Sequence, residues 1–128
     1  MKGYVGNIEK ITLKNNNFRK VIYTGQHLQL VVMSLKPGED IGLESHGNLD
    51  QFFRVDEGTG KVIIGKTAKR IKDGDAIVVP AGAKHNVVNT SKTKSLKIYT
   101  IYAPPNHPKN TVHKTREEAT EAEKHHSH

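Results

Sequence analysis

Between Gly74 and Asn89 the chain reads Gly-Asp-Ala-Ile-Val-Val-Pro-Ala-Gly-Ala-Lys-His-Asn-Val-Val-Asn. Residues 75–79 and 86–88 are rich in β-branched side chains, and Pro80 and Gly82 punctuate the turn between them. The pattern predicts a strand, a tight turn and a second strand. His85 stands just after the turn, where one ring nitrogen is left to meet a metal if partners arrive from elsewhere in the chain.

The same cadence runs through the middle of the sequence. Strands are predicted over 19–24, 28–36, 41–46, 51–56, 61–64, 68–71, 75–79, 85–89 and 96–102. Pro37-Gly38, Gly47-Asn48, Glu57-Gly58, Asp73-Gly74, Ala81-Gly82 and Thr90-Ser91-Lys92 mark the turns. Many short strands, regular turns and no helical pattern between them predict an all-β sandwich or barrel. In 28–36, Leu28, Leu30 and Val32 fall on one face and Val31, Met33 and Leu35 on the other, as in a strand covered on both sides. Phe53 and Val55 share the face of Gln51, with Phe52 and Arg54 opposite; Tyr102 alternates with Ile98 and Thr100, and Tyr99 faces away.

The flanks read differently. Residues 1–17 are polar and weakly patterned, and Asn15-Asn16-Asn17 marks a turn. After Tyr102, the run Pro104-Pro105-Asn106-His107-Pro108 is extended and rigid. Thr115 and Glu118 have the spacing of a capping box, which predicts a short polar helix to about Lys124 with Ala119 and Ala122 as its apolar residues. His125, His126 and His128 form a terminal cluster to which no function is given. The chain is thus divided into an N-terminal segment (1–17), a β-domain (18–103) and a tail (104–128).

Composition narrows the chemistry. With 128 residues, one domain is expected, and 34% hydrophobic residues imply a thin core. No apolar run approaches bilayer-spanning length and the first residues carry no secretory pattern, so a cytoplasmic protein is expected, with no membrane partner. There is no cysteine, which excludes disulfides and thiolate nucleophiles and leaves nitrogen and oxygen donors for any transition metal. The net charge of +7 suits an anionic substrate or nucleic acid. Lys61, Lys66, Lys69, Lys72, Lys84, Lys92, Lys94 and Lys97 are scattered, however, and read as a solvated face; no nucleic-acid partner is expected.

The spacing Gly74-x5-Pro80-x-Gly82-x2-His85-x3-Asn89 resembles the second signature motif of the cupin superfamily, with every fixed position filled. The first motif of that superfamily, Gly-x5-His-x-His-x3–4-Glu-x6-Gly, is present in altered form. Gly38, His46 and Gly58 match, Glu44 replaces the first histidine, and Gln51 replaces the glutamate, with Asp50 as a weaker alternative. The resemblance extends over about residues 18–102. It implies a double-stranded β-helix, a small jelly-roll barrel, here followed by the short C-terminal helix. It also implies that Glu44, His46, Gln51 and His85 meet around a divalent transition metal (Mn, Fe, Ni or Zn). Two imidazoles and a carboxylate form the facial triad associated with Fe(II), with Gln51 as a fourth, weaker donor. A barrel without metal, in which Glu44 pairs with His85 or a lysine, is the alternative.

The resemblance suggests similarity to mannose-6-phosphate isomerase-like small cupins, and the glutamine at the third position is shared with cupins acting on unsaturated uronates. The expected function is an isomerase or lyase acting on a small oxygen-rich anionic substrate such as a sugar, sugar phosphate or keto acid. The alternatives are an Fe(II) dioxygenase and a non-catalytic or degenerate binding module. Phe53 and Tyr102 read as pocket wall or core. The proline-rich segment reads as a solvated loop; folded over the barrel mouth it would add His107 and His113 as substrate contacts. A homodimer is expected, from the apolar residues on both faces of 28–35.

Overall fold

A computed structural model describes residues 2–126. The strand–turn cadence becomes two antiparallel sheets. The strands are β1 (Arg19–Thr24), β2 (Gln29–Leu35), β3 (Asp50–Glu57), β4 (Thr59–Ile64), β5 (Thr67–Lys72), β6 (Ala76–Val79), β7 (His85–Asn89), β8 (Leu96–Ala103) and β9 (Val112–His113). The larger sheet has the order β6-β3-β8-β2-β1-β9 and the smaller β5-β4-β7. Alternation dictates what lies between them: Val31, Met33, Leu35, Phe53, Val55, Leu96 and Ile98 from the large sheet and Val62, Ile71 and Val87 from the small one, all buried. This is the jelly-roll barrel, with a C-terminal helix beside it. No helix of the described residues is long and apolar enough to cross a membrane.

The β3–β4 turn carries the chain from the large sheet to the small one. Gly58 sits at φ +104°, and a Cβ there would fall 2.8 Å from the Ser95 carbonyl oxygen. Only glycine meets both conditions without strain.

Several expectations change. The N-terminal segment contains a helix, α1 (Ile8–Lys14), capped by Asn7, whose side chain accepts from Lys10 N at 3.0 Å. It is only seven residues long, and its packed face is half-buried Ile8 and Ile11 with fully buried Thr12, too short a stripe to stand out in the sequence. It packs on the outer face of the large sheet against β2, β3 and β8. The helix therefore covers part of the second apolar face of β2, where Val32 is fully buried, and that cover weakens the argument for a dimer. Lys97 is not on a solvated face. It is buried, with Nζ donating to the Asn15 carbonyl and, at 2.9 Å, to Asn16 Oδ1, and burial lowers its pKa. The other lysines of that series are exposed. Residues 41–46 form no regular strand. The segment touches β7 at single bridges, Asp40–Val88 just before it and Glu44–His85 within it, and Gly42 at φ +92° breaks the extension between them.

The tail ends in α2 (Arg116–His126), with the expected capping box: Glu118 N donates to Thr115 Oγ1 at 3.1 Å, and Thr115 N to Glu118 Oε2 at 3.2 Å. Ala119 is its buried contact. His128 and the side chains of His125 and His126 lie outside the described residues.

Candidate metal centre

The two motifs are stitched together by backbone. Glu44 N donates to His85 O at 2.9 Å, His85 N to Glu44 O at 2.8 Å, and Gly82 N to His46 O at 2.7 Å. The turn before β7 thus fixes the loop carrying Glu44 and His46, and β3 brings Gln51 in from the facing sheet. The four side chains converge. Glu44 Oε2 lies 3.1 Å from His46 Nε2 and 3.8 Å from His85 Nε2, and His85 Nε2 lies 3.1 Å from Gln51 Oε1. One donor atom each from Glu44, His46 and His85 falls within 4.8 Å of the others. Asp50, the alternative to Gln51, points elsewhere: its Oδ1 accepts from Ala81 N at 2.9 Å on the exposed side of β3.

The hydrogen bonds around this cluster decide what it can hold. His85 Nδ1 is 3.1 Å from the Ala83 carbonyl, which can only accept, so Nδ1 carries the proton. A neutral His85 then presents a lone pair at Nε2. Gln51 Nε2 donates to Thr100 Oγ1 at 3.0 Å, which turns Oε1 toward His85. His85 and Gln51 are almost wholly buried. A carboxylate oxygen, an amide oxygen and an imidazole lone pair therefore face one another, with His46 Nε2 against the carboxylate. Acceptors gathered this way repel unless a cation joins them. Donors each about 2.1 Å from one ion stand about 3–4 Å apart, so the observed 3.1 and 3.8 Å separations fit a divalent metal.

A cavity of about 720 Å³ opens above the cluster, with Glu44, His46, Pro105, His107, His113 and Glu123 on its wall. The proline-rich segment thus forms one wall of the chamber, while Pro104, Asn106 and Pro108 stay exposed. Fully buried Gln29 holds it: Gln29 Oε1 accepts from Asn106 N at 3.1 Å and His107 N at 2.9 Å, and Nε2 donates to His107 O at 2.7 Å. Arg116 pins the start of α2, donating to the Asp40 carbonyl and to Asp40 Oδ1, both at 2.8 Å.

Phe53 is core and wall together, fully buried with its ring centroid 6.1 Å from that of His85. Tyr102 is buried, its ring edge-on to His46 at 6.0 Å and its hydroxyl 3.2 Å from His107 Nε2; burial raises its pKa. His113 reaches the cavity from β9, with Nδ1 3.3 Å from Arg19 Nη1. Sequence reasoning missed Arg19, Gln29 and the Asp40–Arg116 clamp. Arg19 carried a readable signal, a charge in the inward phase of a strand between Phe18 and Val21. Gln29 carried none, because its role depends on a segment far along the chain.

Comparison with known proteins agrees with this fold. The Cupin domain family model matches residues 31–102. The uncharacterized protein YrkC of Bacillus subtilis (strain 168) is 52% identical over 128 residues, covering 95% of this chain and 68% of that protein. The crystal structure of BH2720 from Bacillus halodurans superposes with a TM-score of 0.92 at 48% identity, covering 94% of this chain and 95% of that one. More distantly, a mannose-1-phosphate guanylyltransferase of Escherichia coli (strain K12) is 31% identical over 71 residues, which are 56% of this chain and 15% of that protein.

Proposed function

The chain belongs to the cupin family, and from that premise we propose that it is a metal-dependent enzyme of isomerase or lyase type. Its substrate is a small oxygen-rich anion such as a sugar, sugar phosphate or keto acid. The observation that carries the reading is the convergence of Glu44, His46, Gln51 and His85 at the foot of a walled cavity. These residues would hold Mn, Fe, Ni or Zn. When bound, the ion supplies Lewis-acid polarisation of a substrate carbonyl or hydroxyl oxygen.

This chain's own residues supply the rest. Isomerisation or elimination next to a carbonyl needs a group that takes and returns a proton. His107 is on the cavity wall with Nε2 against the Tyr102 hydroxyl, and Gln29 fixes its backbone, so it is the proton carrier in this reading. Phe53 keeps water from the inner side of His85, and His113 closes the far wall. The partial likeness to mannose-1-phosphate guanylyltransferases supports a sugar-derived substrate. Elemental analysis of protein lacking His125, His126 and His128 is expected to find stoichiometric metal that is lost in Glu44→Ala and in His85→Ala. Metal unchanged in both variants would remove the centre.

A second reading rests on the same donors. Two histidines and one carboxylate are the Fe(II) facial triad of oxygenases. Substrate turnover by the Fe(II)-loaded protein that stops when oxygen is excluded would favour it. We also propose a homodimer, formed through the outer face of the large sheet. Val78, Phe52, Ile101 and Leu30 make one cross-strand apolar row there, with Val78 66% exposed. Light scattering giving the mass of a single chain would refute it.

A further inference from the structure

Arg19 is among the largest fully buried side chains of the protein, at 1% exposure, and nothing above uses its charge. Burying a guanidinium costs several kcal/mol unless good partners are built around it. The protein shows what such partners look like: Arg116 makes two contacts of 2.8 Å to Asp40. Arg19 has nothing comparable. Its Nη1 lies 3.6 Å from Glu123 Oε1 and its Nη2 4.0 Å from Glu44 Oε1, both longer than a charge-assisted hydrogen bond. Nη1 is 3.3 Å from His113 Nδ1, and Nε has no hydrogen-bond partner among the described residues. The Phe18 ring, 5.3 Å from the guanidinium carbon, backs it on one side.

The position of this loosely paired cation is informative. Glu44, His113 and Glu123, which surround it, all line the cavity. Glu44 divides its oxygens, with Oε2 toward His46 and His85 and Oε1 toward Arg19. A ligand at the cluster therefore has a guanidinium one carboxylate-width away. Glu123 is the movable element, since its side chain is 59% exposed and an exposed pair of that kind is weak.

We propose that Arg19 is the anion anchor of the site: a carboxylate or phosphate of the substrate takes the place of Glu123 against the guanidinium while another substrate oxygen faces the Glu44–His46–His85 cluster. This deepens the proposed function and rests on its placing of the substrate in this cavity. A planar fork with free N–H groups matches both oxyanions, and a lysine would supply charge without the fork. Specificity follows because a neutral analogue leaves the buried donors unmet.

The test is NMR of ¹⁵N-labelled full-length protein, following the arginine Nε–H signals during titration with acetate, with inorganic phosphate and with neutral acetamide. Arg19→Lys identifies the Arg19 signal by its loss. That signal is expected to shift saturably with acetate, phosphate or both, the arms separating the two oxyanions, and not with acetamide. Glu123→Gln, at an exposed position, is expected to tighten the anion about two- to fivefold by removing the competitor. An Arg19 signal unmoved by both anions, or moved equally by acetamide, overturns the proposal, and so does an affinity unchanged in Glu123→Gln. If Arg19→Lys does not fold, narrowing the assignment by Arg54→Lys, Arg70→Lys and Arg116→Lys serves instead. Metal content is measured separately. A metal-bearing protein with an unmoved signal overturns the anchor alone, and a metal-free protein with a moving signal upholds the anchor while removing the metal centre.

Discussion

Replacing Gln51 by glutamate tests the geometry of the centre most directly. Gln51 is 2% exposed and its Oε1 is 3.1 Å from His85 Nε2, so a carboxylate there joins the acceptors Glu44 and His85 in a space that excludes water. Without metal, Gln51→Glu must either bury a charge or keep its proton. Keeping it sets an upper bound on the cost. Protonating a carboxyl of ordinary pKa about 4.3 at pH 7 costs about 3.7 kcal/mol, at 1.36 kcal/mol per unit. In a domain of this size that is a fall in Tm on the order of 12 °C. The sign with pH follows. The folded pKa of the new carboxyl is raised, so the folded state binds more protons above the ordinary value, and the variant's deficit grows as pH rises from about 4 and closes on acidification. Metal reverses the ranking, because a second carboxylate strengthens the donor set and ligation stabilises by mass action. The assay is thermal unfolding of metal-stripped wild type and Gln51→Glu at about pH 4 and pH 7, with and without Mn²⁺ or Zn²⁺. A variant that loses no stability at pH 7 and gains no more from metal than wild type does would show that residue 51 stands outside the ring of acceptors.

Three further outcomes are expected. Gly58→Ala combines a left-handed φ with a 2.8 Å approach to the Ser95 carbonyl, so thermal or urea unfolding should show a loss of about 2 kcal/mol; a loss within error would contradict the turn geometry. Asp56 is buried on the α1 side of the large sheet, with Oδ2 lacking a partner among the described residues, and burial raises its pKa. Its stabilising contribution is therefore present below the ordinary carboxylate range and lost as pH rises through the folded value, so Asp56→Asn should raise Tm at pH 7, with the gain vanishing near pH 4. Gln29→Ala should speed hydrogen exchange at the Asn106 and His107 amides about tenfold or more while leaving those of His85 and Val87 unchanged, and uniform acceleration would mean global destabilisation instead.

The parts of the molecule that were legible in the sequence share a physical cause. Strand alternation around Phe53, Val55, Ile98 and Tyr102 is local information, and so are the turn glycines and the Thr115–Glu118 cap; each appears where the pattern put it. Gathering of Glu44, His46, Gln51 and His85 was readable because two motifs of fixed spacing carry them. What escaped depends on contacts between distant residues. Helix α1 shows only one turn of helical spacing, Ile8, Ile11 and Thr12, and forms where Thr12, Asn15 and Asn16 find Asp56 and Lys97. Lys97 looks like its exposed neighbours in sequence and differs only through that docking. The placing of His107 hangs on Gln29, which no local pattern distinguishes.

The Gln29 and Arg116 contacts also divide the labour along the polypeptide. Glu44, His46, Gln51 and His85 come from the loop before β3, from β3 and from β7, whereas much of the wall of the chamber above them comes from residues 105–123. Insertions or exchanges in that wall can reshape what the chamber admits while the four converging side chains stay as they are, which makes residues 105–123 the natural place for new selectivity to arise.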